Sequence, residues 1–145
     1  MGSRREAREL ALQALYQLDV TGEPNPGRGL ALFWTHFDAP EGVRDFARLL
    51  VEGVAQNRER IDALISESAE HWRLPRLSRV DLNLLRLATF EFLGLTPDIP
   101  ASVTINEAIE IARRFGSDDS AAFVNGVLDH IAQVLGVKEK QRSAD

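Results

Sequence analysis

The sequence predicts an all-α protein, a compact bundle of about six or seven helices. Its six prolines, at positions 24, 26, 40, 75, 97 and 100, all lie between segments whose apolar residues recur at helical spacing. Gly94, Gly116 and Gly136 each close such a segment, as glycines do at helix C-termini. The stretch ASVTI at residues 101–105 alternates as a strand does, but its continuation INEAIEIA restores helical spacing. We therefore expect no sheet.

The first half of the chain is predicted to contain four helical segments. Residues 3–20 form the first, and the TGEPNPGRG stretch at residues 21–29 is predicted as a loop that no helix crosses. A turn or two of helix is expected within ALFWTHF, residues 31–37. A longer helix, EGVRDFARLLVEGV, follows Pro40, and RIDALISESA continues after a kink near Asn57.

The second half should contain the central helix of the bundle. VDLNLLRLATFEFLG, residues 80–94, is apolar around much of its circumference, as a helix in the middle of a core must be. Ser78 is predicted as its N-cap, with Asp81 at the capping-box position. Leu77 and Leu82 are spaced as a hydrophobic staple that would fix the entry of the chain.

Two further helices are predicted, ASVTINEAIEIARRFG after Pro100 and SDDSAAFVNGVLDHIAQVLG after it. Gly53 and Gly126 fall inside predicted helices, where glycine costs about 1 kcal/mol relative to alanine. Close helix crossings would explain both glycines. We interpret residues 1–137 as one domain and residues 138–145 as a polar C-terminal tail.

Composition excludes several classes of site. With 145 residues, 44% of them hydrophobic, the chain can bury a substantial core, and it contains no cysteine for a disulfide, thiolate metal site or nucleophile. The net charge of −5 argues against bulk attraction to nucleic acid, so any RNA site must be a local patch. The histidines at 36, 71 and 130 have no second ligand at helical spacing. We expect no cofactor and no metal, and a cytoplasmic protein without a signal or membrane segment.

The first helix carries a candidate site for phosphate. A helix turns by about 100° per residue, which places Arg4, Arg5 and Arg8 together on one flank beside the core stripe. Arg5, Arg8, Leu12 and Tyr16 should form one solvent-facing ridge, while Glu6 and Glu9 face elsewhere. Arginine can clamp phosphate, and a tyrosine ring can stack on an unpaired base.

An ordinary structural interpretation competes with this site. Arg5 could pair with Glu9 one turn away, and Tyr16 could pack against a neighbouring helix. Geometry within one helix does not separate the two possibilities.

Three segments resemble the NusB transcription antitermination family: RREARELALQALYQLD, VDLNLLRLATFEFL and, above all, INEAIEIARRFGSDDSAAFVNGVLD. The resemblance extends from Arg4 to about Val137 and is weakest over residues 21–41. It implies a non-enzymatic, all-helical adaptor. NusB-like proteins pair with the ribosomal protein NusE and hold single-stranded boxA RNA on the RNA polymerase antitermination complex, chiefly in ribosomal RNA operons.

The resemblance also implies a set of RNA-binding residues. The arginine-rich N-terminus of the family corresponds here to Arg4, Arg5 and Arg8, and its helix-one tyrosine corresponds to Tyr16. Its RNA-proximal aspartate and phenylalanine correspond to Asp119 and Phe123. The resemblance thus adds Asp119 and Phe123 to the candidate site on the first helix, with Phe115 as a further candidate.

Each carried-over residue also has a structural interpretation. Phe123 lies at the edge of an apolar stripe and could belong to the core, and Asp119 could only complement the dipole of the last helix. If Asp119 contacts RNA, it should accept a hydrogen bond from a base edge. This sequence departs from its relatives by carrying Glu6 and Glu9 among sparse arginines, which makes dependence on the partner more important.

A second basic set flanks the WRLPRLSRVD connection. It comprises Arg73, Arg76, Arg79 and Arg86, and we interpret it as solvated surface next to a partner site, with a second nucleic-acid face as the alternative. Trp72, Leu74 and Leu77 could form the exposed apolar patch of such a partner site. The resemblance suggests that NusE binds near the start of the Ser78 helix, with Asp81 in the interface.

Two other functions remain open at this stage. One is a protein-interaction scaffold, for example a homodimer that buries the RNA face. The other is a regulatory module like the N-terminal domain of ribosomal RNA cytosine methyltransferases. An enzyme acting alone is not expected, because no nucleophile, base and orienting group can be assembled.

Overall fold

The computed structural model of the protein describes residues 3–69 and 77–138. These residues form seven α-helices and no strand, which confirms the all-α prediction. None of the described helices is both long enough and apolar enough to span a membrane. The helices are α1 (Ser3–Thr21), α2 (Pro26–Phe33), α3 (Glu41–Gln56), α4 (Arg58–Ser68), α5 (Arg79–Gly94), α6 (Ala101–Phe115) and α7 (Ser120–Leu135).

Helix α5 is the centre of the bundle, as its composition predicts. It packs against α1, α3, α4, α6 and α7, and every residue from Asn83 to Phe92 is buried. A helix enclosed on all sides must be apolar around its circumference, and its few polar residues must find partners inside. Those partners, Arg8 among them, determine where α1 lies.

Two predicted helix boundaries are confirmed. The Ser78 side chain accepts a hydrogen bond of 3.0 Å from the backbone N–H of Asp81, which caps α5. The break near Asn57 separates α3 from α4, and the backbone and side-chain amides of Asn57 both donate to the carbonyl of Gly53.

Helix α2 begins earlier than predicted, inside the segment expected to be a loop. Pro26 occupies its first turn, where the missing N–H costs nothing because no intrahelical acceptor exists there. Asn25 caps the helix, its side-chain oxygen accepting from the backbone N–H of Arg28 at 3.1 Å. Pro26 thus begins a helix rather than preventing one.

The two helix-interior glycines have different environments. A Cβ on Gly53 would lie 2.2 Å from the ring of Phe90, so this glycine permits the close crossing of α3 and α5. Gly126 is exposed on α7, and a Cβ there would meet nothing within 4 Å. The close crossing predicted at Gly126 is therefore wrong.

Arg86 also differs from its prediction as solvated surface. It is buried in α5, where its guanidinium donates to Asp62 of α4 at 2.8 and 3.1 Å and to Asp19 of α1 at 3.2 Å. Asn83 completes the cluster by donating to Asp19 at 2.9 Å. This ion-pair cluster fixes the C-terminal end of α1 against α4 and α5.

Candidate nucleic-acid interface

A broad groove of about 1150 Å³ lies at the amino end of α1, where α3 begins and α6 ends. We call it the arginine groove. Three arginines from two helices line it, together with acidic and apolar side chains. Its lining residues are Ser3, Arg4, Arg5, Glu6, Glu9, Pro40, Gly42, Val43, Asp45, Phe46, Leu49 and Arg114.

Arg4 is exposed in this groove. Its guanidinium lies over the ring of Phe46, 5.1 Å from the centroid, and within the described residues it forms no ion pair. The aromatic face orients the cation without neutralising it. Arg4 can therefore bind an anion without first giving up a carboxylate.

Arg5 is held by a carboxylate on a distant helix. Its Nε and Nη2 donate to the two oxygens of Glu107 on α6, at 2.8 and 2.7 Å. This bidentate hydrogen bond holds the pKa of Glu107 below its usual value and raises that of Arg5. The pairing of Arg5 with Glu9, considered from the sequence, is not the one that forms. The Arg5 side chain is still 43% exposed, so a phosphate can reach it.

Arg8 is the main correction to the predicted ridge. It is only 3% exposed, and its Nε and Nη2 donate to both oxygens of the buried Glu91 on α5, at 2.8 and 2.9 Å. Leu12, predicted beside it on the ridge, is buried as well. Arg8 lies at the edge of the core stripe, and the carboxylate of Glu91 draws it inward. A helical projection of α1 alone does not show that partner.

The two glutamates of α1 do not face away from the arginines. Glu6 and Glu9 both line the arginine groove, and Glu9 accepts a hydrogen bond of 2.8 Å from Nη1 of Arg114 at the end of α6. The groove is therefore mixed in charge. Arg114 was not singled out from the sequence, because a basic residue in the last turn of a helix is expected on electrostatic grounds alone.

A second, apolar groove of about 480 Å³ runs along the middle of α1. We call it the aromatic groove. Tyr16, 43% exposed, and Phe115 lie in it together, although they are far apart in sequence. Sequence reasoning missed its other rings, Phe33 and Phe37, which stack on each other with centroids 4.3 Å apart. The groove is lined by Leu12, Gln13, Tyr16, Gln17, Val20, Phe33, Phe37, Val80 and Phe115.

A third pocket, of about 370 Å³, lies between the start of α5 and the start of α7. We call it the aspartate pocket, because Asp81 and Asp119 line it together with Phe123. Asp119 is exposed at the N-cap position of α7, Phe123 is half-buried one turn later, and Oδ1 of Asp81 is buried without a hydrogen bond. The residue predicted for the partner thus lies beside two residues predicted for RNA.

One short segment connects the three pockets. In chain order, Arg114 lines the arginine groove, Phe115 the aromatic groove, and Ser117, Asp119 and Ser120 the aspartate pocket. The segment from the end of α6 to the start of α7 therefore contributes a cation to the first groove, a half-buried ring to the second and polar side chains to the third pocket.

The second basic set does not form one solvated surface. Arg79 is exposed at the start of α5, while Arg86 is buried. Arg73 and Arg76, with the apolar Trp72 and Leu74, lie outside the described residues. Of the predicted tail, residues 138–145, all but residue 138 lie outside them too.

No group of three or more histidine, aspartate or glutamate side chains that could hold a metal occurs in residues 3–69 and 77–138. Among the histidines, His130 forms a hydrogen bond of 2.9 Å with Ser68, which connects α7 to α4.

Comparison with known families shows where this chain belongs. A model described as the NusB family matches residues 5–133, which is nearly the whole chain. The chain belongs to the NusB family. A protein named transcription antitermination protein NusB from Geotalea uraniireducens is 51% identical over 146 residues, covering 96% of this chain and 100% of the relative.

Solved structures of NusB proteins have the same fold. NusB from T. maritima is 42% identical, with a TM-score of 0.81 and 90% of each chain covered. A structure of the antitermination factors NusB and NusE in complex with double-stranded RNA aligns with a TM-score of 0.81 at 27% identity. It covers 92% of this chain and 98% of that one. The all-α fold and the family predicted from the sequence are both confirmed.

Proposed function

We propose that this chain is a transcription antitermination and elongation adaptor that binds single-stranded boxA-type RNA together with ribosomal protein NusE. As a NusB protein it is not an enzyme. In the cytoplasm it would support ribosomal RNA transcription as part of the RNA polymerase antitermination complex. Membership of the NusB family and the solved complex of NusB, NusE and double-stranded RNA support an adaptor that binds RNA together with NusE.

The observation that carries the RNA assignment is that the arginine groove and the aromatic groove adjoin at Arg114 and Phe115, which line one groove each and contact each other. Arg4 and Arg5 provide guanidinium groups for phosphate, and Tyr16 and Phe115 provide rings in a neighbouring groove. A single strand presents its backbone and its unstacked bases to such an arrangement, whereas the bases of a duplex are already stacked. This favours single-stranded RNA.

The remaining assignments lie around the aspartate pocket. Asp119 would accept a hydrogen bond from a base edge, because its carboxylate is exposed and would repel phosphate. Phe123 would pack against the same base, and Asp81 would contact NusE. Arg8, which the family pattern assigns to RNA, here supports the interface from inside by fixing α1 against Glu91.

The direct test is a titration of fluorescently labelled boxA RNA, followed by anisotropy, with and without NusE. We expect weak binding by this chain alone and much tighter binding with NusE, since a second protein on the same RNA adds avidity. A scrambled RNA and a duplex serve as controls. Equal, weak binding to boxA and scrambled RNA in both conditions would contradict the proposal.

Two matched variants test the site. Arg4→Ala should weaken RNA binding, whereas Arg28→Ala should not, although both remove one exposed positive charge. Tyr16→Ala should cost about 1–3 kcal/mol of binding free energy if the ring stacks on a base. Identical affinities for Arg4→Ala and Arg28→Ala would contradict the assignment of Arg4 to the RNA interface.

A further inference from the structure

The residue of interest is Arg114, which lies where the arginine groove meets the aromatic groove. It is the lining residue that α6 contributes to the arginine groove, opposite Arg4 and Arg5 of α1. Its guanidinium also lies over the ring of Phe115, 5.2 Å from the centroid, and Phe115 lines the aromatic groove. A strand with its phosphates in the first groove and a base in the second would pass this side chain.

We propose that Arg114 is a further phosphate-binding residue of this interface, held by Glu9 in the free protein and released to the RNA backbone on binding. This inference rests on the proposed function, because it names a contact within the same RNA interface.

In the free protein, Arg114 is held by a carboxylate that a phosphate could replace. Nη1 of Arg114 donates to Oε1 of Glu9 at 2.8 Å, between the end of α6 and the first helix. The Arg114 side chain is 67% exposed, although that of Glu9 is only 14% exposed, so the guanidinium stays open to solvent and can exchange one partner for another. Like a carboxylate, a phosphate accepts charge-assisted hydrogen bonds from a guanidinium through its oxygens. Glu9 therefore occupies the place that a phosphate oxygen would take.

The adjacent Arg113 provides a natural control. Its side chain is 63% exposed, close to the value for Arg114, and it pairs with Glu110 on its own helix. It lines neither groove. Removing either arginine changes the net charge equally and leaves one glutamate without its partner, but only Arg114 lies on the proposed path of the RNA.

The first experiment compares Arg114→Ala with Arg113→Ala in the anisotropy titration with boxA RNA and NusE. We expect Arg114→Ala to weaken binding about fivefold, which corresponds to about 1 kcal/mol, and Arg113→Ala to change it less than twofold. Arg114→Ala should also reduce the slope of log K against log salt by about 0.7, the value for one phosphate contact on a single strand. Arg114→Lys should retain the wild-type slope.

The second experiment tests the release from Glu9. Glu9→Gln and Glu6→Gln each remove one negative charge from the same groove, but within the described residues only Glu9 is paired with an arginine. We expect Glu9→Gln to tighten RNA binding about two- to fivefold more than Glu6→Gln does. In the Arg114→Ala background this extra gain should disappear.

The outcomes separate this inference from the proposed function. Equal affinities for the Arg113 and Arg114 variants, with Arg4→Ala still weakening binding, would overturn the role of Arg114 and leave the RNA site intact. Failure of the wild-type protein to bind boxA RNA with NusE would overturn both. Thermal unfolding of each variant checks that a loss of binding is not caused by loss of the fold. We expect the fold to be retained, because Arg113 and Arg114 are both largely exposed.

Discussion

At the scale of single residues, the arginines of α1 have three different roles. Arg4 is an exposed cation over a ring, Arg5 is shared between solvent and Glu107, and Arg8 is a buried partner of Glu91. Three residues of one type within five positions are thus distinguished only by what the rest of the fold places beside them.

Replacing Arg8 should destabilise the protein far more than replacing Arg5. Arg8→Ala leaves the carboxylate of Glu91 buried and without its cation; among the described side chains, only Thr104 then donates to it, at 3.0 Å. Breaking such a buried pair costs about 3–5 kcal/mol of unfolding free energy, whereas the half-exposed Arg5 should contribute less than about 1 kcal/mol. Urea denaturation followed by circular dichroism measures both losses.

The paired replacement provides the control for that experiment. Arg8→Met combined with Glu91→Leu should be less destabilised than Arg8→Met alone, since no unpaired charge is then left inside. If Arg8→Ala and Arg5→Ala lowered stability by the same amount, the buried pair would not be as important as the structure indicates.

Glu107 should make stability depend on pH in the acid range. Its hydrogen bond from Arg5 lowers its pKa in the folded protein below the ordinary value of 4.5, so the unfolded chain binds its proton more readily. The stabilisation is therefore complete above about pH 5 and is lost as the pH falls through 4.5 and then through the lower folded-state pKa. The difference in unfolding free energy between wild type and Glu107→Gln should shrink over that range.

Repeating the comparison in an Arg5→Met background tests whether the hydrogen bond from Arg5 causes this pH dependence. Without the hydrogen bond from Arg5, the difference in unfolding free energy between the proteins with Glu107 and with the Glu107→Gln substitution should depend much less on pH. Only the weaker attraction between Arg8 and the Glu107 carboxylate would then remain. A difference that stays constant from about pH 6 to pH 3 in the wild-type background would contradict the ion pair as the origin.

At the scale of helices, the two glycines inside helices should respond oppositely to alanine. Gly53→Ala places a methyl group against the buried Phe90 ring, and such overpacking costs about 1–3 kcal/mol. Gly126→Ala adds a methyl group to an exposed helix position with open space around it, which should stabilise α7 by up to about 1 kcal/mol. Thermal unfolding of the two variants should therefore shift in opposite directions, and a shift in the same direction would refute this account of the α3–α5 crossing.

The helices were predictable because their signals are local. Apolar spacing, the Ser78 cap and the break at Asn57 each depend on residues within a few positions of one another. The start of α2 was missed because Pro26 can either end a helix or begin one, and only the cap from Asn25 decides between these roles. Gly126 was misjudged because an exposed glycine and a packed glycine look alike in sequence.

The site was only partly predictable, for a related reason. The sequence indicated Arg4, Arg5, Tyr16 and Phe115, and the structure places them in two adjoining grooves. Burial of Arg8 depends on Glu91, 83 positions away, and no local pattern specifies such a pair. The same holds for the contact of Arg114 with Glu9.

At the scale of the whole molecule, the acidic net charge limits how RNA can be bound. With a charge of −5, the protein as a whole repels polyphosphate, so attraction must come from local contacts such as those of the arginine groove. Contacts from Arg4, Arg5 and Arg114 to a single strand predict a slope of about −2 for log K against log salt, measured with boxA RNA and this chain alone. Adding NusE should make the slope steeper, and a slope near zero for the chain alone would mean that phosphate contacts do not contribute.

The position of α5 has a consequence for how the chain is made. Glu91 lies 83 residues after Arg8, so a ribosome working at about 5–20 residues per second synthesises it roughly 4 to 17 seconds later. Throughout that interval α1 can pack only against segments translated before α5, such as α3, and the guanidinium of Arg8 has no Glu91 to pair with. The Arg8–Glu91 ion pair must therefore form late in synthesis, although Arg8 is among the first residues to leave the exit tunnel.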